Sequence, residues 1–213
     1  MPMIKETQNK AATIFIVDDD DGARKGVQRL LDSYGYRTET FSSAKAFLDR
    51  SPIDAEGCLV LDHHMPEMTG MELLDELTGI DCKIPIVFLT AHGDIPTSVK
   101  AIKRGAEDFL SKLAEEKELI DAIERSLQRS RKTRDESDRK RCIQQRADSL
   151  TAREREVCSY VVAGWTNGQI GKQLGISERT VKAHRRAVME KFEVSSLAEL
   201  VRQTMVVGMQ LPE

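Results

Sequence analysis

Four carboxylates stand in a run, Asp18 to Asp21, and a fifth, Asp62, stands alone at the end of an apolar stretch. A hydroxyl, Thr90, and an ammonium, Lys112, end two later apolar stretches. Three carboxylates brought together repel one another unless a cation neutralises them. Hard oxygen donors with room for water suit Mg²⁺ better than zinc. A carboxylate beside such an ion can attack a phosphoryl donor and carry the group as an aspartyl phosphate. Asp62 is the candidate acceptor, with Thr90 and Lys112 to hold the phosphate oxygens. The plainer alternative is that each residue merely caps a loop. A second chemistry lies near the other end of the chain, where Arg179, Lys182, Ala183 and Arg186 recur at helical spacing. A cationic helix face of that kind can donate to guanine O6 and N7 in the major groove.

The first set can meet only if a fold brings its positions together. Short apolar runs at 13–18, 36–41, 57–62, 84–90 and 106–110 alternate with amphipathic stretches such as Val27, Leu30, Leu31 and Met71, Leu74, Leu77. Alternating strand and helix predicts a five-stranded parallel, doubly wound α/β sheet covered on both faces. Such a sheet places its site beyond the carboxyl ends of its strands. Asp18, Asp62 and Thr90 end strands one, three and four, and Lys112 follows strand five. Asp21 is expected to cap the first helix.

The second set sits among helix-start signals. Thr151–Glu154, Thr166–Gln169 and Ser196–Glu199 fit the reciprocal capping pattern, and Ser177 is a further N-cap. Helices are expected at 151–163, 167–174, 178–192 and 197–207, with Gly164 and Gly175 at helix ends. The short turn between the second and third predicts a helix-turn-helix within an all-α four-helix domain. On the third helix Val181, Val188 and Phe192 share one face and must look inward. The cationic set then looks outward, and His184 and Arg185 fall on the flanks. Trp165 is expected to pack in the core.

The motifs carry a resemblance. V-D-D-D at 17–20, L-D-H-H-M-P-E-M-T-G at 61–70, L-T-A-H-G-D at 89–94 and D-F-L-S-K at 108–112 resemble the receiver domain of bacterial two-component response regulators. The resemblance implies the strand order 2-1-3-4-5 and Asp62 as phosphoacceptor. It implies Mg²⁺ held by Asp18, Asp19, Asp62 and the backbone carbonyl of His64. It implies Thr90 and Lys112 as phosphate-sensing residues and Phe109 at the switch-aromatic position, where, lacking a hydroxyl, it signals by packing. L-T-A-R-E-R-E-V, N-G-Q-I-G-K-Q-L-G-I-S-E-R-T-V-K-A-H-R and M-E-K-F-E-V-S-S-L-A-E-L-V, within residues 150–201, resemble the LuxR-type DNA-binding domain. That likeness implies base contacts from Lys182, Ala183 and Arg186. It implies DNA-phosphate contacts from Lys172, Ser177, Arg179, Thr180 and Arg185. Together the halves resemble a NarL/FixJ-class response regulator. The implied partners are a sensor histidine kinase, double-stranded promoter DNA, a second copy of the chain and RNA polymerase. The chain is read as a phosphoacceptor rather than an enzyme.

Several departures stand out. Leu113 replaces the usual proline after the lysine, which puts the placement of Lys112 in doubt. His63 and His64 follow the acceptor, where histidines are unusual, and are read as loop surface. Gly168 and Gly171 lie in the scaffold helix, where glycine costs about 0.8–1 kcal/mol relative to alanine. Two rivals remain open. One is a phosphorylation-independent DNA-binding protein whose receiver serves for docking. The other is a phosphatase of haloacid-dehalogenase type, because Asp18-x-Asp20 after a strand resembles that nucleophile motif.

Charge agrees with two halves of different partners. Residues 1–125 carry 15 basic and 24 acidic side chains, and residues 126–213 carry 17 and 11, within a net charge of -3. A basic half suits a polyanion. The domains are expected at 12–127 and 149–213, joined by a charged helical linker at 128–148 that sustains no heptad pattern but leaves room for a short helical dimer contact. Apolar runs stop at five or six residues, far short of the roughly 20 that a membrane span needs. Residues 1–10 show no secretory core, and the four cysteines show no C-x-x-C spacing. A cytoplasmic bacterial protein with reduced thiols is the expectation.

Overall fold

The computed structural model describes residues 12–50, 56–91, 95–210 and 212. The reading of residues 1–10, and the His92, Gly93 and Asp94 part of the third receiver-like motif, lie outside the described residues. The chain forms two compact units, Met1–Arg134 and Asp135–Glu213.

The first unit alternates strand and helix: β1 (Thr13–Val17), α1 (Asp21–Ser33), β2 (Arg37–Phe41), α2 (Ala44–Leu48), β3 (Gly57–Leu61), α3 (Gly70–Gly79), β4 (Ile86–Thr90), α4 (Ile95–Lys103), β5 (Asp108–Ser111) and the start of α5 (Glu116–Asp148). The strands are all parallel in the order β2-β1-β3-β4-β5. Every residue of β1, β3 and β4 is buried, as expected of strands covered on both faces. Alternation divides their side chains. Ile14, Ile16, Cys58, Val60, Val87 and Leu89 meet Leu31 of α1 and Leu119, Ile123 and Leu127 of α5. Phe15, Val17, Leu59, Leu61, Ile86 and Phe88 meet Phe47, Leu73 and Leu77 on the other face. β4 begins two residues later than its apolar run, after Pro85, which has no N–H to give a ladder.

The helix α5 is more than a solvated connector. Ser126 and Ser130 are buried, and Ser130 Oγ accepts a hydrogen bond from Gly57 N at 3.2 Å. Farther along, Ile143 and Ala147 join the core of the second unit.

That second unit holds α6 (Ala152–Val162), α7 (Asn167–Leu174), α8 (Glu178–Phe192) and α9 (Leu197–Val206) around Val157, Val161, Ile170, Val181, Val188, Phe192 and Leu200. Thr151–Glu154 and Thr166–Gln169 form full reciprocal capping boxes. At α9 only half of the box forms: Ser196 accepts from Glu199 N, while Glu199 accepts from Ser195 N. Trp165 packs against Tyr160 with the rings tilted and their centroids 4.8 Å apart, and is only partly buried. No helix among the described residues is long and apolar enough to cross a membrane.

Candidate functional site

The acidic crevice is assembled from strand ends. Asp18 follows β1, Asp62 follows β3, Thr90 closes β4 and Lys112 follows β5. Asp18 and Asp62 are buried, Asp19 is exposed, and Thr90 is inaccessible to solvent. The Lys112 ammonium lies 2.6 Å from Asp18 Oδ2 and 3.0 Å from Asp62 Oδ2, bridging the two acids. The backbone ties the last two strand ends together, with Lys112 N donating to Thr90 O at 2.7 Å.

Leu113 does not displace this lysine. Its N–H donates to Ser111 Oγ at 3.1 Å, a bond a proline could not make, and its side chain is 91% exposed. The turn closes with Ala114 N donating to Ser111 O at 2.9 Å.

Electrostatics follows from burial. Desolvation raises the Asp18 carboxyl above its ordinary value, outweighing the bonds from Lys112 and the Asp20 amide. For Lys112, burial alone would lower the ammonium, but its bonds to Asp18 and Asp62 prevail and raise it. Ligand oxygens of Asp18, Asp19 and Asp62 fall within 4.8 Å of one another. Three carboxylates gathered at one crevice are hard oxygen donors of the kind an octahedral Mg²⁺ takes, so the chemistry of this donor set suits such an ion. The amide of His64 lies 3.4 Å from Asp62 Oδ1, which brings that residue's backbone to the rim.

Some parts were not foreseen. Asp20, not Asp21, caps α1: its extended backbone lets Oδ1 accept from Ala23 N at 2.9 Å. Asp21 instead pairs with Arg24 and Lys25, each at 2.7 Å. Arg24 also donates to the Asp18 carbonyl at 2.8 Å and so braces the acidic loop. The i,i+3 spacing of Asp21 and Arg24 was the available signal. Gly70 answers a steric need, because a Cβ there would lie 2.3 Å from the Asp62 carbonyl oxygen. His64 is exposed loop surface, but His63 is half-buried against Phe88 and Phe109.

The second candidate surface is α7, a turn and α8. Gly175 ends α7 at φ 64°, and Ser177 caps α8 by accepting from Thr180 N at 3.1 Å. Val181, Val188 and Phe192 are buried. Lys172, Ser177, Arg179, Thr180, Lys182, Ala183 and Arg186 are exposed, and Arg185 is half-buried. Arg186 Nε donates to Glu190 Oε1 at 2.8 Å, and Arg185 Nη1 to Asn167 Oδ1 at 2.9 Å. The Ser177 and Thr180 hydroxyls lie 2.8 Å apart. Gly171 serves close approach, because a Cβ there would lie 2.8 Å from the Ile176 carbonyl oxygen, whereas a Cβ at Gly168 would meet only the movable end of the Glu178 side chain, 2.9 Å from Oε1.

Comparison with known proteins matches both units. Residues 14–124 match the family model described as response regulator receiver domain, and residues 148–204 match that of bacterial regulatory proteins, luxR family. The response regulator protein TodT of Pseudomonas putida is 41% identical over 201 residues, spanning 94% of this chain and 88% of that one. The transcriptional regulatory protein FixJ of Rhizobium meliloti is 41% identical over 196 residues, 92% of this chain and 96% of that one. Among solved structures, the response regulator StyR superposes with a TM-score of 0.85 at 47% identity, covering 92% of this chain and 98% of the other. With an acid crevice on a 2-1-3-4-5 sheet in one unit, a helix-turn-helix in the other, and relatives that match over most of both chains, the chain belongs to the response regulators of the NarL/FixJ class, which join a receiver domain to a LuxR-type DNA-binding domain.

Proposed function

We propose that this chain is a phosphorylation-controlled, cytoplasmic transcription regulator. It divides into a receiver domain at 12–127, a charged helical linker at 128–148 and a DNA-binding domain at 149–213. In this reading a sensor histidine kinase donates a phosphoryl group to Asp62. The bond from phosphorus to the donor's imidazole nitrogen breaks, the nitrogen keeps the electron pair, and an Asp62 carboxylate oxygen bonds to phosphorus. Asp18, Asp19, Asp62 and the His64 backbone carbonyl would hold Mg²⁺. When bound, that ion supplies positive charge that draws carboxylate and phosphoryl oxygens together.

The chain's own residues do the rest. Phosphorylation adds about -1.5 to -2 charges in a buried crevice. Lys112 turns from the paired carboxylates to a phosphoryl oxygen, and the Thr90 hydroxyl donates to another. Phe109 repacks, and the surface at the ends of β4 and β5 changes. In the second domain Lys182, Ala183 and Arg186 read base edges. Lys172, Ser177, Arg179, Thr180 and Arg185 hold DNA phosphates. Two chains reading half-sites about one helical turn apart make a homodimer the DNA-bound form, and RNA polymerase is the downstream partner.

The observation that carries this reading is the Lys112 ammonium bridging Asp18 and Asp62, with Asp19 beside them. It also weighs against the docking-only alternative, which rested on Leu113 disturbing that lysine. Asp20 spends its carboxylate on capping α1, which weighs against a phosphatase built on Asp18-x-Asp20. The test is incubation with acetyl phosphate and Mg²⁺ followed by intact mass measurement. The wild-type chain gains one phosphoryl group and Asp62→Asn gains none; equal gain by both would overturn the assignment.

A further inference from the structure

We infer that His63, the residue directly after the phosphoacceptor, is a positioning residue whose ring carries the movement of Asp62 to Phe109. This rests on the phosphoacceptor reading and adds a coupling element to it. The register places Leu61, Phe88 and Phe109 in one row across β3, β4 and β5. His63 lies two residues beyond Leu61, in the loop that follows β3, and its ring reaches back to that row. Its ring centroid is 6.0 Å from Phe88 and 6.1 Å from Phe109, both edge-on at 75° and 64°. Phe88 and Phe109 themselves lie 5.6 Å apart. The three rings form a closed cluster, and one of its members is covalently next to Asp62.

The arrangement answers a problem set by Phe109. It has no hydroxyl, so it cannot follow Thr90 by a hydrogen bond, and packing must move it. The loop that carries His63 is held from two sides. Gly70 N donates to the His63 carbonyl at 3.1 Å, and the His64 amide reaches Asp62 Oδ1 at 3.4 Å. A new charge on Asp62 redistributes its bonds to Lys112 and to this loop. His63 shifts with the loop, and a close-packed ring cluster cannot absorb the shift without Phe109 taking another position. The role asks for a flat ring of this reach, not for a charge or a nucleophile.

The test uses the full-length chain labelled with 3-fluorophenylalanine, with the Phe109 resonance assigned by Phe109→Leu. Acetyl phosphate and Mg²⁺ are added, and phosphoryl uptake is counted by intact mass in the same sample. In the wild-type chain the Phe109 resonance moves as phosphoryl is gained. His63→Phe, which keeps a ring, retains the movement. His63→Ala gains phosphoryl to the same extent but loses most of the movement. His63→Val, which cannot reach Phe109, gives the same loss and serves if the alanine variant does not fold. A full Phe109 shift in phosphorylated His63→Ala or His63→Val would overturn the inference. An absent mass gain in the wild-type chain would instead overturn the phosphoacceptor reading beneath it.

Discussion

Replacing Lys112 with methionine removes the ammonium that bridges Asp18 and Asp62 and keeps a side chain of similar length. The Asp18 and Asp62 side chains are only 5% and 8% exposed, and that of Lys112 is 19% exposed. Removing one partner of a fully buried ion pair costs about 3–5 kcal/mol. The partial exposure of the lysine puts the expected loss near the lower end, about 3 kcal/mol. With a urea dependence of about 2 kcal/mol per molar, the receiver transition moves down by about 1.5 M. The sign with pH follows from Asp18. Its carboxyl is already raised by burial, and losing Lys112 raises it further. A raised acid favours the fold below its unfolded value of 3.8 and loses that advantage as pH rises through the folded value. The cost of the substitution is therefore largest at neutral pH and shrinks in acid. Mg²⁺ recovers part of it, about 1.4 kcal/mol when present at ten times its Kd, and recovers more in the variant than in the parent. Circular dichroism follows unfolding of the whole chain. The fluorescence of Trp165, the chain's single tryptophan, follows the second unit. A receiver midpoint unchanged near neutral pH, with no added response to Mg²⁺, would refute the reasoning.

Three further outcomes are expected. Glu154 bonds Lys191 at 2.6 Å and the Thr151 amide at 2.8 Å, and these contacts, Lys191 first, hold its carboxyl at about 2. A lowered acid stabilises the fold above its unfolded value of 4.5 and loses that as pH falls toward 2, so Glu154→Gln flattens acid unfolding between these limits. Lys191 is a third exposed, so solvent screening leaves about 1 kcal/mol of the effect, read by Trp165 fluorescence. In the DNA-binding domain, Lys172→Ala weakens binding to all duplexes alike and lowers the salt slope by about 1, whereas Arg186→Ala costs about 1–3 kcal/mol on a selected site and relaxes its sequence preference. Fluorescence anisotropy on a selected and a scrambled duplex separates the two.

The receiver was legible because its strands are short, apolar and separated by helical patterns. The polar residues at their ends mark the crevice in the sequence itself. Helix starts were legible where a hydroxyl and an acid or amide stood three residues apart, as at Thr151 and Thr166. Ser196 shows the limit of that signal, because Glu199 turned to the amide of Ser195 instead. In a run of four acids the pattern did not say which one caps, and the extended backbone of Asp20 decided it. Leu113 and Gly171 depart from the expected pattern because a one-letter pattern does not contain the Ser111 hydroxyl or the Ile176 carbonyl that make them fit. The sequence alone places His63 on the loop surface for a similar reason: its neighbours Phe88 and Phe109 are distant in sequence and meet it only across the sheet.

The central claim, that a charge placed on Asp62 governs DNA binding by the other domain, is tested most directly by anisotropy titration of a selected duplex with the full-length chain before and after treatment with acetyl phosphate and Mg²⁺, alongside Asp62→Asn. The account predicts tighter binding by the phosphorylated parent and no change in the variant. Identical affinity of phosphorylated and unphosphorylated parent chains would contradict it.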